Sequence, residues 1–297
     1  MTTAAATIRL GTRSSRLAMA QANEAAGALR ATGGDAVEII NIRTRGDSLS
    51  ERSPTGHLVV GDGQFTTELE HALLAHDIDV AVHSLKDLPT EPTPGLELAA
   101  ILERADPRDC LLSWHPGGLA ELPFGARVGT GSVRRAAQLA AARIDLVAAP
   151  IRGNVDTRLA RLESGEFDAV VLAAAGLDRL GTPVRDDQRL SFDVMLPAPG
   201  QGAIVLQTRA GEADIVAAAD HEPTRVAVTA ERALLRQLGG GCLAPLGALA
   251  ELDGAELRLR AAYEGDHGFA RIELRHPADD AQGLTAAATS AIRKVTG

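Results

Sequence analysis

The chain is predicted to be an α/β protein that ends in a small α+β domain. Three observations carry this. From residue 127 to 180, strand-like and helix-like segments alternate, the pattern of βαβ units around a mostly parallel sheet. Two strand-to-helix junctions share one spelling, Gly-Thr-x-Ser, at Gly11-Thr12-Arg13-Ser14 and at Gly129-Thr130-Gly131-Ser132. This echo predicts two related α/β domains. Beyond residue 246, apolar and charged residues alternate on both sides of Asp253-Gly254, a strong hairpin signal.

Taken in order, residues 7–11 read as a short strand, 15–30 as an alanine-rich helix and 37–42 as a second strand. Residues 45–63 are rich in Gly, Ser, Pro and Asp, the composition of a long binding loop or lid. A helix over 66–76 precedes a buried strand over 79–83, which runs into Ser84-Leu85-Lys86-Asp87. His83 reads as a core histidine. Cys110, in Asp109-Cys110-Leu111-Leu112, reads as a strand residue packing inward. Strands over 126–128 and 144–148 each lead into a helix, the second through Ile151-Arg152-Gly153-Asn154. Glu222-Pro223 opens a helix to about residue 238, with Pro in the favoured first turn. Strands over 246–252 and 256–262, and a third in which Ala270, Ile272 and Leu274 alternate with Arg271, Glu273 and Arg275, form a three-stranded antiparallel sheet with one wet face. A helix over 281–295 closes the chain.

Composition excludes several functions. The 297 residues suit two or three domains. Aromatic residues are only 2%, so the cores must be aliphatic. Thirty basic residues against 39 acidic leave a net charge of −9, which together with the scarce aromatics disfavours a nucleic-acid binder. No apolar run reaches the ~18–20 residues of a membrane span. The start of the chain has no charged and then apolar leader, so a cytoplasmic protein with reduced Cys110 and Cys242 is expected. No phosphate-loop motif, HExxH or cysteine pair is present, and His71 and His76 miss the i,i+4 register of a helical metal pair, so no metal site is expected. No heptad pattern or long apolar patch asks for a partner subunit, and a monomer is expected.

The chemistry concentrates at strand-to-helix junctions. Arg13, Arg16, Arg134, Arg135, Arg152 and Arg158 all stand at helix starts, where free N–H groups and the helix dipole already favour anions. Thr130 and Ser132 add hydroxyl donors. Arginine repeated there points to a polyanionic ligand at the sheet edge. Only Lys86 and Lys294 are lysines. Asp87 puts a carboxylate beside Lys86 in the same kind of loop, suited to stabilising a cation or moving a proton. Leu238-Gly239-Gly240-Gly241-Cys242 places a thiol after three glycines, which let a bulky group approach the backbone. A solute-binding module and an enzyme using Cys242 as a transient nucleophile remain open on these features. The first predicts reversible binding without need of Cys242, and the second a nearby His base.

The motifs in sequence resemble the porphobilinogen deaminase (hydroxymethylbilane synthase) family over nearly the whole chain. They include Gly11–Ala18 with Gln21, Thr44-Arg45-Gly46-Asp47, Ala81–Pro89, Asp106-Pro107-Arg108-Asp109, Gly129–Arg135, Arg152-Gly153-Asn154-Val155 and Pro199-Gly200-Gln201-Gly202-Ala203. Ala173–Leu177 with Arg179, Thr229-Ala230-Glu231-Arg232 and Gly240-Gly241-Cys242 complete the set. The resemblance implies an enzyme that joins four porphobilinogen molecules head to tail with loss of ammonia. The product grows on a dipyrromethane cofactor held by Cys242 through a thioether, and water then frees hydroxymethylbilane. It implies that Asp87 is catalytic, stabilising a cationic azafulvene and binding pyrrole N–H groups. It implies cofactor contacts from Lys86, Asp87, Thr130, Ser132, Arg134, Arg135, Gly153 and Arg158, and substrate contacts from Arg13, Ser15, Gln21, Arg152, Arg179 and Gln201. The implied fold has two α/β domains like type II periplasmic binding proteins, residues 1–102 with 200–220 and residues 103–199, plus residues 221–297 bearing Cys242. This chain departs from the family where Gly131 replaces a common serine, and where Asp62 and Thr67 replace two lysines, so the 45–63 loop is assigned no substrate contact.

Overall fold

The computed structural model describes residues 7–33, 36–43, 66–241 and 244–297. They divide into two compact units, Met1–Ala105 with Ala203–Arg225, and Asp106–Gly202 with Val226–Gly297. The 45–63 loop lies outside the described residues, as does Cys242.

The first unit is built on a five-stranded sheet. β1 (Ile8–Arg13) leads into α1 (Arg16–Ala31). The Ser15 hydroxyl caps this helix by accepting from the backbone N–H of Ala18. Ala18, Gln21, Ala22, Ala25, Ala26 and Leu29, spaced by three and four, form its buried face. β2 (Val37–Ile42), α2 (Thr67–Leu74), β3 (Val80–Ser84), a 3₁₀ turn at Leu85–Asp87 and β4 (Leu96–Ile101) follow. β9 (Ile204–Arg209) returns after the second unit's segment. The strand order is β2-β1-β3-β9-β4. β1 runs parallel to β2 and β3, whereas β9 is antiparallel to both β3 and β4. This sheet is therefore mixed. β9 starts opposite the end of β3, pairing Ile204 with Ser84, so it must run back along its neighbour.

In the second unit, β5 (Asp109–Ser113), β6 (Arg127–Gly129), β7 (Val147–Ala149) and β8 (Ala169–Ala173) form a sheet in the order β5-β8-β6-β7. β6 is parallel to β7 and β8, and β5 is antiparallel to β8. α3 (Val133–Ala142) follows β6, α4 (Val155–Glu163) follows β7, and α5 (Ala174–Arg179) follows β8. Successive strand residues serve opposite faces. Cys110, Leu112, Val170 and Leu172 enter one core, and Leu111, Val128, Ala169 and Val171 the other.

α6 (Glu222–Gln237), the antiparallel strands β10 (Leu246–Asp253), β11 (Glu256–Gly265) and β12 (Gly268–Pro277), and α7 (Ala281–Thr296) form the end of the chain. The hairpin closes at Asp253↔Glu256, as the Asp-Gly spelling requires. Leu257, Leu259 and Ala261 face a core shared with Leu234, Leu284 and Ile292, while Arg258 pairs with Glu273 on the outer face. The fully buried Glu231 of α6 accepts from the backbone N–H of Gly200 at 2.7 Å and of Ala250 at 2.8 Å, so one carboxylate ties helix, loop and strand together. Glu231→Ala leaves both N–H groups unpaired in the interior. The expected loss is about 3 kcal/mol of unfolding free energy, read by urea titration.

Candidate functional site

In the first unit, the ends of β1 and β3 lie on one sheet edge, because the strands are parallel neighbours with Gly11 opposite Ala81. Arg13 closes β1 and is half-buried; Ser15 follows as the cap of α1. Gln21, buried on α1, donates from Nε2 to the Ser84 hydroxyl at 2.6 Å, joining the helix to the end of β3. The 3₁₀ turn after Ser84 then places Lys86 half-buried and Asp87 in solvent. The turn is held by Leu85 N–H donating to Ala203 and Leu88 N–H donating to Leu85. The structure thus brings Arg13, Ser15, Gln21, Lys86 and Asp87 to one edge of one sheet.

His83 supports this edge from beneath. It is 6% exposed, and its Nε2 lies 3.0 Å from Gln207 Oε1. Gln207 Nε2 in turn donates to Glu70 Oε1, which also accepts from the Thr93 hydroxyl. A carboxylate only accepts, so Glu70 orients the Gln207 amide, and the amide oxygen assigns the proton of neutral His83 to Nε2. Burial pushes the His83 pKa down to about 4; the bond to Gln207 opposes this shift, and the charge of Arg13 adds to it.

In the second unit, the β6–α3 and β7–α4 junctions lie side by side. Ser132 caps α3, its hydroxyl accepting from Arg135 N–H, and the buried Thr130 hydroxyl accepts from Ser132 N–H. A Cβ at Gly131 would stand 2.9 Å from the Ile151 carbonyl oxygen, so the serine expected there from the resemblance would force the two junctions apart. In the neighbouring junction Gly153 adopts a φ of +102°, a region that favours glycine, and its carbonyl accepts from Arg158 Nε at 2.9 Å. Arg152 and Arg158 are half-buried. Arg179 ends α5 and donates to the Gly202 carbonyl.

Like Thr130, three further candidate residues lie in the interior of this unit. Arg134 and Arg135 are 4% and 6% exposed and converge on Asp109, which is fully buried. Arg134 Nη1 donates to Asp109 Oδ2 at 2.8 Å and to the Leu196 carbonyl at 2.6 Å. Arg135 donates from Nε and Nη2 to Asp109 Oδ1 and from Nη1 to the Val171 carbonyl. Gln201, 1% exposed, donates to Asp109 Oδ1 and to the Pro107 carbonyl. Burial by itself would raise the Asp109 pKa, but the two guanidiniums hold it well below the usual carboxylate range. Sequence reasoning missed Asp109. Its signals were its place in the Asp106-Pro107-Arg108-Asp109 motif and an acidic residue heading the otherwise apolar strand Asp109-Cys110-Leu111-Leu112.

Cys110 is fully buried, and burial pushes its thiol up to about 12, far from a thiolate at neutral pH. Cys242 lies outside the described residues, whose flanks are tied by Ala244 N–H donating to the Gly241 carbonyl. Among the described residues no group of three His, Cys, Asp or Glu could hold a metal ion. The donor set suits a ligand with several carboxylates. Half-buried guanidiniums, two hydroxyls and the N–H groups of two helix starts meet at the β6–β7 edge.

Residues 8–217 match the family described as porphobilinogen deaminase, dipyromethane cofactor binding domain, and residues 226–288 match the porphobilinogen deaminase C-terminal domain. A porphobilinogen deaminase of Acidothermus cellulolyticus is 50% identical over 295 residues, covering 96% of this chain and 88% of that protein. Porphobilinogen deaminase 1 of Streptomyces coelicolor is 49% identical over 90% of this chain and 86% of its own. A solved periplasmic substrate-binding protein of an ABC transporter from Coxiella burnetii has a TM-score of 0.45 at 15% identity, over 76% of this chain and 96% of that one. That likeness is too loose to bear on ligand or function.

The His83 surroundings set a pH dependence. With the folded pKa near 4 and an unfolded value near 6.5, the unfolded chain binds the extra proton first as pH falls. The stability that His83 contributes is therefore complete above about pH 6.5 and is lost towards pH 4. Unfolding free energy should drop by about 2 kcal/mol from this residue between pH 7 and pH 5. In His83→Gln that part of the slope should vanish, as measured by urea titrations at the two pH values.

Proposed function

Because the chain belongs to the porphobilinogen deaminase family, which polymerises porphobilinogen into hydroxymethylbilane with a dipyrromethane cofactor, we propose that its two sheet edges divide the work. The β6–β7 edge supplies most of the cofactor contacts, and the β1–β3 edge carries the catalytic carboxylate. The carrying observation is the contact between the two junctions of the second unit, which joins the arginine-bearing starts of α3 and α4 at a single place.

In this reading Cys242 anchors the cofactor through a thioether, and Lys86, Asp87, Thr130, Ser132, Arg134, Arg135, Gly153 and Arg158 hold it. When bound, the cofactor supplies the pyrrole terminus from which the product grows. Every pyrrole ring brings an acetate and a propionate, and guanidiniums match carboxylates in pairs of hydrogen bonds. Arg13, Ser15, Gln21, Arg152, Arg179 and Gln201 receive porphobilinogen and orient its carboxylates. Asp87 is the catalytic group. It is exposed at the end of β3 on a turn pinned by backbone bonds. There its carboxylate stabilises the positive charge that develops on the substrate as ammonia leaves, and it accepts from pyrrole N–H.

The separate cores around β1–α1, around β5–β8 and around β10–β12 support three domains, residues 1–102 with 200–220, residues 103–199 and residues 221–297. The net charge of −9 suits a cytoplasmic monomer acting on a free small molecule, with no nucleic-acid or membrane partner. No described helix is long and apolar enough to cross a membrane.

The intact mass of the purified protein is the first test. An excess of about two pyrrole units is expected, retained on denaturation and absent from Cys242→Ser; an active protein of unmodified mass refutes the anchor. Asp87→Asn should fold and keep a KM for porphobilinogen within about threefold, while kcat falls by about 10²–10³. Steady-state kinetics with near-normal kcat would remove Asp87 from the reaction.

A further inference from the structure

The interior of the second unit holds two guanidiniums against one carboxylate. Arg134 and Arg135 both meet Asp109 at 2.7–2.8 Å, and all three side chains are under a tenth exposed. Arginine stays protonated in proteins, so the group retains one unmatched positive charge. A buried charge without a partner is costly. The start of α3, whose Ser132 cap bonds to the Arg135 N–H, adds the positive end of a helix dipole to the same place.

The group is also rigid. Leu196 and Val171 carbonyls hold the two guanidiniums, and Gln201 occupies Asp109 Oδ1 from a third direction. Leu196 is the link to the end of the chain. Its carbonyl also accepts from Gln138 Nε2, and a Cβ at Gly247 would lie 2.8 Å from that same oxygen. Gly247 belongs to β10, the strand that follows the Cys242 loop.

We propose that Asp109 is a positioning residue for cofactor loading: it fixes Arg134 and Arg135 as one pair whose unmatched charge receives a pyrrole carboxylate of the dipyrromethane. This rests on the cofactor reading above. Asp109 touches no ligand itself. It acts by setting where two cations stand and by leaving their sum at plus one. Removing its charge frees both guanidiniums from their common anchor while keeping the oxygen and the shape.

The test compares wild type, Asp109→Asn and Leu139→Ala, the last a buried α3 residue outside the group that lowers stability without altering charge. Each protein is purified, its intact mass and melting temperature are recorded, and unloaded protein is incubated with porphobilinogen while the mass shift is followed in time. Loading of Asp109→Asn should slow by about tenfold or more, the equivalent of losing one charge-assisted contact. Leu139→Ala should melt lower but load at the wild-type rate. Asp109→Glu, which keeps a carboxylate against the two guanidiniums, should load within about threefold of the wild-type rate whatever its melting temperature, and it carries the test if Asp109→Asn fails to fold. A loaded wild type beside an Asp109→Asn that loads equally fast overturns the inference alone. Loading that follows melting temperature across all variants, Leu139→Ala included, also overturns it and makes Asp109 a purely structural residue. An unmodified wild type overturns the cofactor reading and this inference with it.

Discussion

A carboxylate with no access to solvent must find its charge partners inside the protein, and Asp109 finds two. From this one side chain the second unit takes much of its internal order. Asp109 heads β5, its partners begin α3, and their remaining bonds run to Leu196 and Val171. Gln201 reaches it from the segment just before the chain returns to the first unit. Strand, helix start and connecting segment are thus fixed by a shared electrostatic requirement. Hydrophobic packing has no comparable directionality, and it alone would not orient these elements so narrowly.

The first unit orders its edge through hydrogen bonds between side chains instead. Gln21 holds Ser84, and Glu70 orders Gln207 and His83 below the same edge. The result is a rigid base under a turn that carries Lys86 and Asp87. The two edges therefore differ in character as well as in residues. One gathers guanidiniums at two helix starts, whereas the other offers a solvent-facing carboxylate on a turn held by backbone bonds.

Much of this was legible in the chain. Ser15 and Ser132 were spelled as helix starts and are caps. The Asp253-Gly254 turn closes the hairpin where expected, and the alternation over 256–262 and 270–275 sorts inner from outer residues in β11 and β12. The arginines at three junctions and the carboxylate after β3 were visible as a charge pattern. Several features were not. The antiparallel course of β9 depends on where the chain re-enters the sheet, which no local pattern encodes. The burial of Arg134, Arg135 and Gln201 ran against the default reading of such side chains as exposed ligand contacts. Gly131, a departure from the expected serine, found its reason only in the closeness of the Ile151 carbonyl.

Caps, turns and periodicities act over a few residues, so the amino-acid order alone specified the elements, their sequence and the chemical types gathered at the helix starts. The folded chain decided which of those charges stand half-buried at a sheet edge and which are buried against Asp109. Arg134 meets partners 25 and 62 residues away, and Gln201 meets Asp109 across 92. Such pairings are set when distant segments are buried together, because only then does an unpaired charge become too costly to leave alone.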